Sequence, residues 1–433
     1  MNRGSGSGSG SGERRGGANL PTLRGYNEAL LLDLLRGAGP AGLGRAELAA
    51  RTGLTPQAVS KIVVRLAAEG LVAEAGRAAS TGGKPRTLLR LVPQARHAVG
   101  VHLDRDELRA VRVDLAGGVV AESRGPLDFG AGQEAVVEAV VRRVGRVTDP
   151  AGPPLLGAGV AAPGPLDHRT GVMGRVTGFP EWEGFPLREV LEGRLGLPVL
   201  LDKDTNAGAA GTVPAASVAG ADVAGADVAA ANVPAANVAG VNVAGVNVAG
   251  VNVAGVNVPG VNVPAANVAA ANVAAVSVTA PAAAVRSGAS VYLHVGTGLG
   301  AGLCLDGEVY RGARSAAGEF GHQVLHLDGP PCRCGARGCA EVLCLAAVGR
   351  GDLPEAARIL GEGAANLVAL LDVERVFLGG RVVAAAPEVF VAGVRAVLAA
   401  RALAQPPPTV ALAGAGVAEG AAELVLAPFF GRA

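Results

Sequence analysis

Leu30, Leu31, Leu34 and Leu35 lay an apolar stripe along a helix predicted over residues 23–36, which the breakers Gly37, Gly39 and Pro40 close. A second helix is predicted over residues 45–51 and stops at Gly53. Thr55 then caps a third, with Pro56 at its first position, where a missing N–H costs nothing. Val59, Ile62, Val63 and Leu66 recur at helical spacing, so this third helix buries that face and turns Gln57, Ser60, Lys61 and Arg65 to solvent. Two short helices joined by Thr52-Gly53-Leu54 and followed by such a face have the form of a helix-turn-helix reader. Gln57 and Ser60 are placed to address base edges, and Lys61 and Arg65 to neutralise phosphates. Strands over 71–74 and 87–92 flank a basic wing, residues 76–86, whose Lys84 and Arg86 can reach a minor groove.

Beyond residue 97 the pattern changes to apolar strands alternating with helices. Strands are predicted at 99–103, 108–113, 119–122 and 155–160 with a helix at 133–144, then a strand at 199–201 before a short helix. Strands at 290–295 and 301–305, a helix at 353–370, a strand at 375–378, a helix near 388–404 and a strand at 409–412 follow. The strand-strand-strand-helix-strand order, met again after residue 290, predicts two related α/β lobes facing a cleft.

The chain of 433 residues balances 38 basic against 37 acidic side chains, which argues against a protein that coats nucleic acid or an acidic scaffold. The balance hides a split, because residues 1–92 hold thirteen basic and six acidic side chains. Two differently charged domains are the consequence. Residues 1–17 alternate serine and glycine with arginines, lack the apolar core of a secretory signal and read as a disordered tail. No stretch of about 20 continuous apolar residues suggests a membrane span. Five cysteines, four of them within residues 332–344, suggest a local metal cluster in a reducing compartment, so the expected location is cytoplasmic.

Three segments carry chemistry. Gly296-Thr297-Gly298-Leu299-Gly300-Ala301-Gly302 joins two apolar strands, and its glycines let backbone N–H groups approach an anion, with the Thr297 hydroxyl as a further donor. It lacks the Gly-Lys-Ser/Thr ending of a Walker loop. Asp202, Asp204 and Asn206 follow a strand at the end where parallel sheets expose ligand contacts. An aspartate there can take the proton of a sugar hydroxyl as it attacks a phosphoryl group, or can simply cap a helix. His322, Cys332, Cys334 and Cys339 supply three thiolates and an imidazole, a closed tetrahedral zinc set with a structural role, for which His326 and Cys344 compete. Zinc there fixes Glu319 and Glu341, which flank the cluster and can accept hydrogen bonds from a polyol.

Gly318-Glu319-Phe320-Gly321-His322 together with Cys332-Arg333-Cys334-Gly335-Ala336-Arg337-Gly338-Cys339-Ala340-Glu341 resembles the ROK family of repressors, open reading frames and sugar kinases, over residues 20–416 without the repeat. The resemblance implies a two-lobed, actin-like or hexokinase-like α/β sugar-kinase fold behind an N-terminal winged helix-turn-helix domain. It assigns Zn2+ to His322, Cys332, Cys334 and Cys339, and sugar contacts to Glu319, His322, Glu341, Asp204 and Asn206, with Asp204 the base in a kinase. Two departures matter. Lys203 stands where the family's Asn-Asp-x-Asn begins, and Asp-x-Gly-Gly-Thr is replaced by Asp104-Arg105-Asp106-Glu107-Leu108. Added carboxylates repel ATP's phosphates, and larger side chains block the backbone approach that glycine allows. The second phosphate loop (Gly296, Thr297, Gly298, Gly300) and Gly379-Gly380, which resembles the adenosine-side motif, remain. A sugar-responsive transcriptional regulator, a repressor, is therefore expected, binding double-stranded operator DNA and a small sugar or sugar phosphate as a homodimer or homotetramer. The alternative is an ATP-dependent sugar kinase using ATP and Mg2+.

Between Ser217 and Ser277, thirteen units place Ser, Asp or Asn every fifth residue with valine after it. The pattern resembles pentapeptide-repeat proteins, whose square β-helix points a central apolar residue inward. Valine before the asparagine, as at Val241 and Val261, and prolines at 234, 259 and 264 oppose that coil and leave an expanded surface loop as the other reading. The expected organisation is a tail at 1–19, the winged helix at 20–92, one lobe at 97–211, the repeat at 212–285 and the second lobe at 286–433.

Overall fold

The computed structural model describes residues 20–77, 86–219, 288–402 and 406–432; the tail, the wing tip with Lys84 and nearly all of the repeat lie outside these residues. The first domain runs α1 (Leu20–Ala38), β1 (Leu43–Gly44), α2 (Arg45–Thr52), α3 (Pro56–Ala68), β2 (Val72–Arg77) and β3 (Thr87–Leu91), with an antiparallel sheet in the order β1-β3-β2. Gly53 takes the left-handed conformation that ends α2. The Thr55 hydroxyl accepts the Ala58 N–H at 3.2 Å and starts α3. Val59, Ile62, Val63 and Leu66 are buried as the spacing predicts.

The first lobe holds β4 (His97–Leu103), β5 (Glu107–Asp114), β6 (Val119–Pro126), α4 (Gln133–Val147), β7 (Leu155–Ala162), the small hairpin β8 (Leu166–Asp167) and β9 (Val172–Met173), α5 (Leu187–Leu195) and β10 (Val199–Lys203), followed by α6 (Asp204–Ala219). The second holds β11 (Ser290–Val295), β12 (Leu299–Leu305), β13 (Glu308–Tyr310), α7 (Ala340–Gly349), α8 (Leu353–Leu371), β14 (Arg375–Gly379), α9 (Arg381–Ala385), α10 (Pro387–Ala400) and β15 (Thr409–Leu412), then α11 (Val417–Leu426). Their sheets have one plan. The orders are β10-β7-β4-β5-β6 and β15-β14-β11-β12-β13, with β4 and β11 parallel to one neighbour and antiparallel to the other. The helix expected near 388–404 is α10, which ends at Ala400; the short α9 before it was not expected and is separated from it at Ala386 (φ −148°), because a residue preceding proline is driven out of the helical region.

Each lobe's last helix lies on the other lobe. Helix α6 leaves β10 and packs against β11 and β12, whereas α11 leaves β15 and packs against β4 and β7. By sequence α11 counts with residues 286–433, but its contacts belong to the first sheet. The two helices cross closely at Gly420, where a Cβ would overlap the Ala207 carbonyl oxygen. Insertion residues 212–219 continue α6.

A continuous apolar cluster joins the winged helix to the first lobe: Leu31, Leu35, Leu89 and Leu91 share it with Val111, Leu115, Leu426 and Phe430. At its edge Arg36 donates two hydrogen bonds of 2.7 Å to Glu423 on α11, both side chains under a tenth exposed (6% and 8%). The Arg36 guanidinium also sits 4.6 Å from the centre of the Phe430 ring. Arg432 pairs with Asp33 of α1 beside it.

Candidate functional site

Strand β10 delivers Asp202, Lys203 and then Asp204 to the cleft between the lobes, the strand end where such sheets bind ligands. Asp202 is buried and accepts hydrogen bonds from Asn206 Nδ2 (2.7 Å) and from Arg311 Nε of the second lobe (2.7 Å). Asn206 is fully buried, and its Oδ1 has no donor among the described residues. That orphan acceptor can take a ligand hydroxyl. Asp204 caps the start of α6 through the Thr205 N–H at 2.6 Å and stays only half-buried.

Facing β10, the second lobe presents Glu319 and Glu341. Lys203 Nζ, on a side chain 3% exposed, donates to the Ala317 carbonyl (2.6 Å) and to Glu319 Oε1 (3.1 Å). So the residue that replaces the family's asparagine ties one lobe to the other. Glu341 is held by the Leu299 N–H at 3.0 Å. His168 Nδ1 lies 2.6 Å from Ser315 Oγ, another link across the cleft.

On the side of the cleft that holds the Gly296–Gly302 loop, polar groups likewise bridge the lobes. The Thr297 hydroxyl, expected to serve an anion, donates to Asp104 at 2.9 Å, and the Gly296 N–H turns to the Gly298 carbonyl at 2.9 Å. Burial pushes the Asp104 carboxyl up, but the Arg105 amide, His102, the Thr297 hydroxyl and Arg381 outweigh it and hold it below the usual range. Asp106 accepts two hydrogen bonds from Arg381 (2.7 and 2.9 Å), the residue after Gly379-Gly380. A cavity of about 370 Å³ remains, lined by His102, Tyr292, His294 and Gly380 among others. His102 is half-buried, with its Nε2 shielded from solvent and without a partner among the described residues; desolvation first, then the neighbouring His294 ring at 6.1 Å, lowers its pKa.

His322, Cys332, Cys334 and Cys339 come together, their donor atoms all within 4.8 Å of one another. His322 Nδ1 is 3.7 Å from Cys332 Sγ, and Cys334 Sγ is 3.6 Å from Cys339 Sγ. Tetrahedral metal–sulfur bonds of about 2.3 Å place sulfurs about 3.8 Å apart, so the four fit a single zinc-sized ion. Cys344 turns inside α7 toward the Ala356 carbonyl at 3.6 Å, and His326 is not among the four.

On the winged helix, Gln57 and Lys61 are exposed on α3 and Arg86 on the approach to β3. Ser60 is less free than its position suggests, since its hydroxyl donates to the Pro56 carbonyl at 2.8 Å. Arg65 pairs with Glu28 of α1. Sequence reasoning missed Arg311, Ser315, Arg381 and the Arg36–Glu423 pair. Arg381 alone had a local signal, its place after two glycines.

The sequence profile of the ROK family matches residues 246–349, and that of the MarR family residues 24–79. The xylose repressor of Bacillus spizizenii (strain ATCC 23059 / NRRL B-14472 / W23) is 23% identical over 320 residues, 73% of this chain and 65% of that protein. The chain spans 59 to 65% of the length of the curated relatives it matches first. Among solved structures, a ROK family transcriptional regulator, homolog of the E. coli MLC protein, superposes with a TM-score of 0.64 at 17% identity, covering 94% of this chain and 97% of that one. The ROK hexokinase from Thermus thermophilus gives 0.50 at 26% identity, covering 76% and 97%. The fold is thus the two-lobed sugar-kinase fold behind a winged helix domain. The glutamates, histidine and cysteines of the second lobe lie within the segment, residues 246–349, over which the chain is similar to the ROK family.

Proposed function

We propose that this protein is a sugar-responsive DNA-binding repressor that binds paired operator half-sites as a dimer and takes a small sugar or sugar phosphate in its interlobe cleft. The observation that carries the reading is the buried Arg36–Glu423 pair. It fastens the reading domain to α11, the helix that lies across the sheet whose strand β10 delivers Asp204 and Asn206. A ligand that favours one lobe arrangement over another shifts that population, and α11 carries the change to α1 and the reading face. Paired half-sites follow because one small winged helix offers few base contacts.

Asp204, Asn206, Glu319, His322 and Glu341 would contact the sugar. His322, Cys332, Cys334 and Cys339 would hold a structural zinc that fixes the segment between Glu319 and Glu341; all four positions are filled by protein, so it would activate no water. Gln57, Ser60, Lys61, Arg65, Lys84 and Arg86 would face the duplex.

The rival reading, a sugar kinase using ATP and Mg2+, is favoured by Asp204 at the end of β10. It is opposed by Asp106 and Glu107, which add negative charge where phosphates would lie in place of two glycines, and by Thr297, whose hydroxyl is engaged. A panel of sugars beginning with xylose, after the name of the Bacillus relative, is screened by thermal shift. The hit is then added to the full-length protein on duplexes selected from a random library. Salt-sensitive preference for selected over scrambled duplex, weakened at least tenfold by the sugar, is expected. Absence of any such preference would overturn the regulator. Sugar phosphorylation that disappears in Asp204→Asn would establish the kinase instead. Elemental analysis should find about one zinc per chain; none would remove the structural ion.

A further inference from the structure

Val64 lies on the solvent face of α3 with 67% of its surface exposed, while the preceding Val63 is buried. Isolated exposed apolar residues are ordinary on protein surfaces. This one shares its face with the residues proposed to read DNA: it stands three residues after Lys61, four after Ser60 and seven after Gln57, spacings that stack side chains along one side of a helix. The fold gains nothing from it. A β-branched residue is a weaker helix former than alanine, and an exposed isopropyl group leaves apolar surface in water. The hydroxyl of Ser60 is meanwhile turned back to the Pro56 carbonyl, so the middle of this face has one free polar reader, Gln57, beside one methyl-bearing surface. Lys61 is exposed next to both, and the domain's basic excess draws the face toward a polyanion.

We propose that Val64 is a sequence-determining residue that packs against the C5-methyl group of a thymine in the major groove. This rests on the DNA-binding reading given above and goes further by naming a base. Thymine is the only base of the four that offers a methyl group there, and apolar side chains recognise it by contact. The proposal also fixes a spacing. Seven residues of helix rise about 10.5 Å, which corresponds to about three base steps of 3.4 Å along one strand. A helix lying along the groove therefore sets the Val64 thymine within about three base pairs of the base read by Gln57, for which adenine is the fitting partner of a bidentate glutamine.

The test replaces thymine with uracil, which keeps every hydrogen-bonding atom and removes only the methyl. Duplexes selected from a random library by the full-length protein are substituted one thymine at a time, and affinity is measured for wild type, Val64→Ala and Val64→Thr. Alanine is a better helix former at this exposed site, so the variant folds. Wild type should lose about fourfold per half-site at one thymine, the value of one buried methyl group. Val64→Ala, which loses both γ-methyl groups, should be less sensitive at that thymine alone, and Val64→Thr, which retains one γ-methyl, should remain sensitive. Gln57→Ala should lose discrimination at an adenine within three base pairs. If the library yields a preferred duplex but no thymine couples to Val64, the proposal is overturned and the regulator stands. If the library yields no preferred sequence, both fall.

Discussion

Two junctions in this molecule are built from opposite materials. The join between winged helix and first lobe is an apolar cluster sealed by an arginine–glutamate pair under a tenth exposed on both sides. The join between the two lobes across the cleft is a set of polar ties: Asp104–Thr297, Asp106–Arg381, Lys203–Glu319, Asp202–Arg311 and His168–Ser315. Asp106 and Arg381 are 55% and 42% exposed, and Glu319 is 52% exposed. Breaking a buried ion pair leaves an uncompensated charge in low dielectric, whereas exposed partners can trade each other for water or for a ligand's hydroxyls. The difference teaches where motion belongs. Under the proposed function, the cleft is the part expected to yield and the domain join the part expected to pass that movement on.

The sharpest way to break this contrast is at Glu423. Glu423→Leu leaves Arg36 buried without its carboxylate and should cost about 3–5 kcal/mol of stability in urea denaturation, with loss of DNA binding. The double variant Arg36→Met/Glu423→Leu should recover most of the stability, since a well-packed apolar pair often replaces a buried ion pair without penalty. A cost below about 1 kcal/mol for Glu423→Leu would place this pair with the exposed ones and dissolve the distinction.

Much of the first junction's scaffold was legible in the sequence, and little of the second's. Thr55-Pro56 and the Val59, Ile62, Val63, Leu66 spacing announce α3 because capping and helical periodicity are local. Asp204 and Asn206 were legible because a strand end is a local feature. Helix α11 was not: Val417, Ala418, Ala421, Ala422, Leu424 and Leu426 are buried on several sides between α6 and the first sheet, so no polar stripe marks its period. The cross-lobe ties have no sequence signal at all, since Arg311 and Arg381 reach partners 109 and 275 residues away. The engagement of the Thr297 hydroxyl is likewise absent from the loop's own sequence, because the Asp104 that takes it lies 193 residues away. The face of Arg65 was read correctly, but its partner Glu28 belongs to another helix.

His102 sharpens the comparison from inside the cleft, where its Nε2 is shielded from solvent. Desolvation and, second, the neighbouring His294 ring lower its folded pKa below the usual 6.5, against the nearby carboxylates of Asp204, Asp104 and Glu107. The unfolded chain then binds a proton that the folded chain does not as pH falls through about 6.5, and stability declines in that direction. The contribution is absent at pH 8 and reaches at most about 1.4 kcal/mol per pH unit below 6.5. Melting followed from pH 8 to 5 should show this decline, and His102→Gln should flatten it. An unchanged slope in the variant would show that the proton uptake lies elsewhere.

The smallest expected effect tests the yielding side directly. Asp106→Asn removes an exposed pair with Arg381 and should change stability by no more than about 1 kcal/mol, because solvent and salt already screen it. Its consequence should appear in ligand binding. The pair ties the lobes beside Gly379-Gly380, so under the proposed function the binding-competent arrangement should be less populated without it and sugar affinity should fall by at most about fivefold. Salt should imitate the substitution: wild-type affinity should decline toward the variant's as ionic strength rises from 0.05 to 1 M, since the Debye length shrinks to about 3 Å. Asp106→Asn itself should respond less. A variant that loses more than about 2 kcal/mol of stability would show that this tie is structural, of the kind found at Arg36, and that the cleft is not the part that gives.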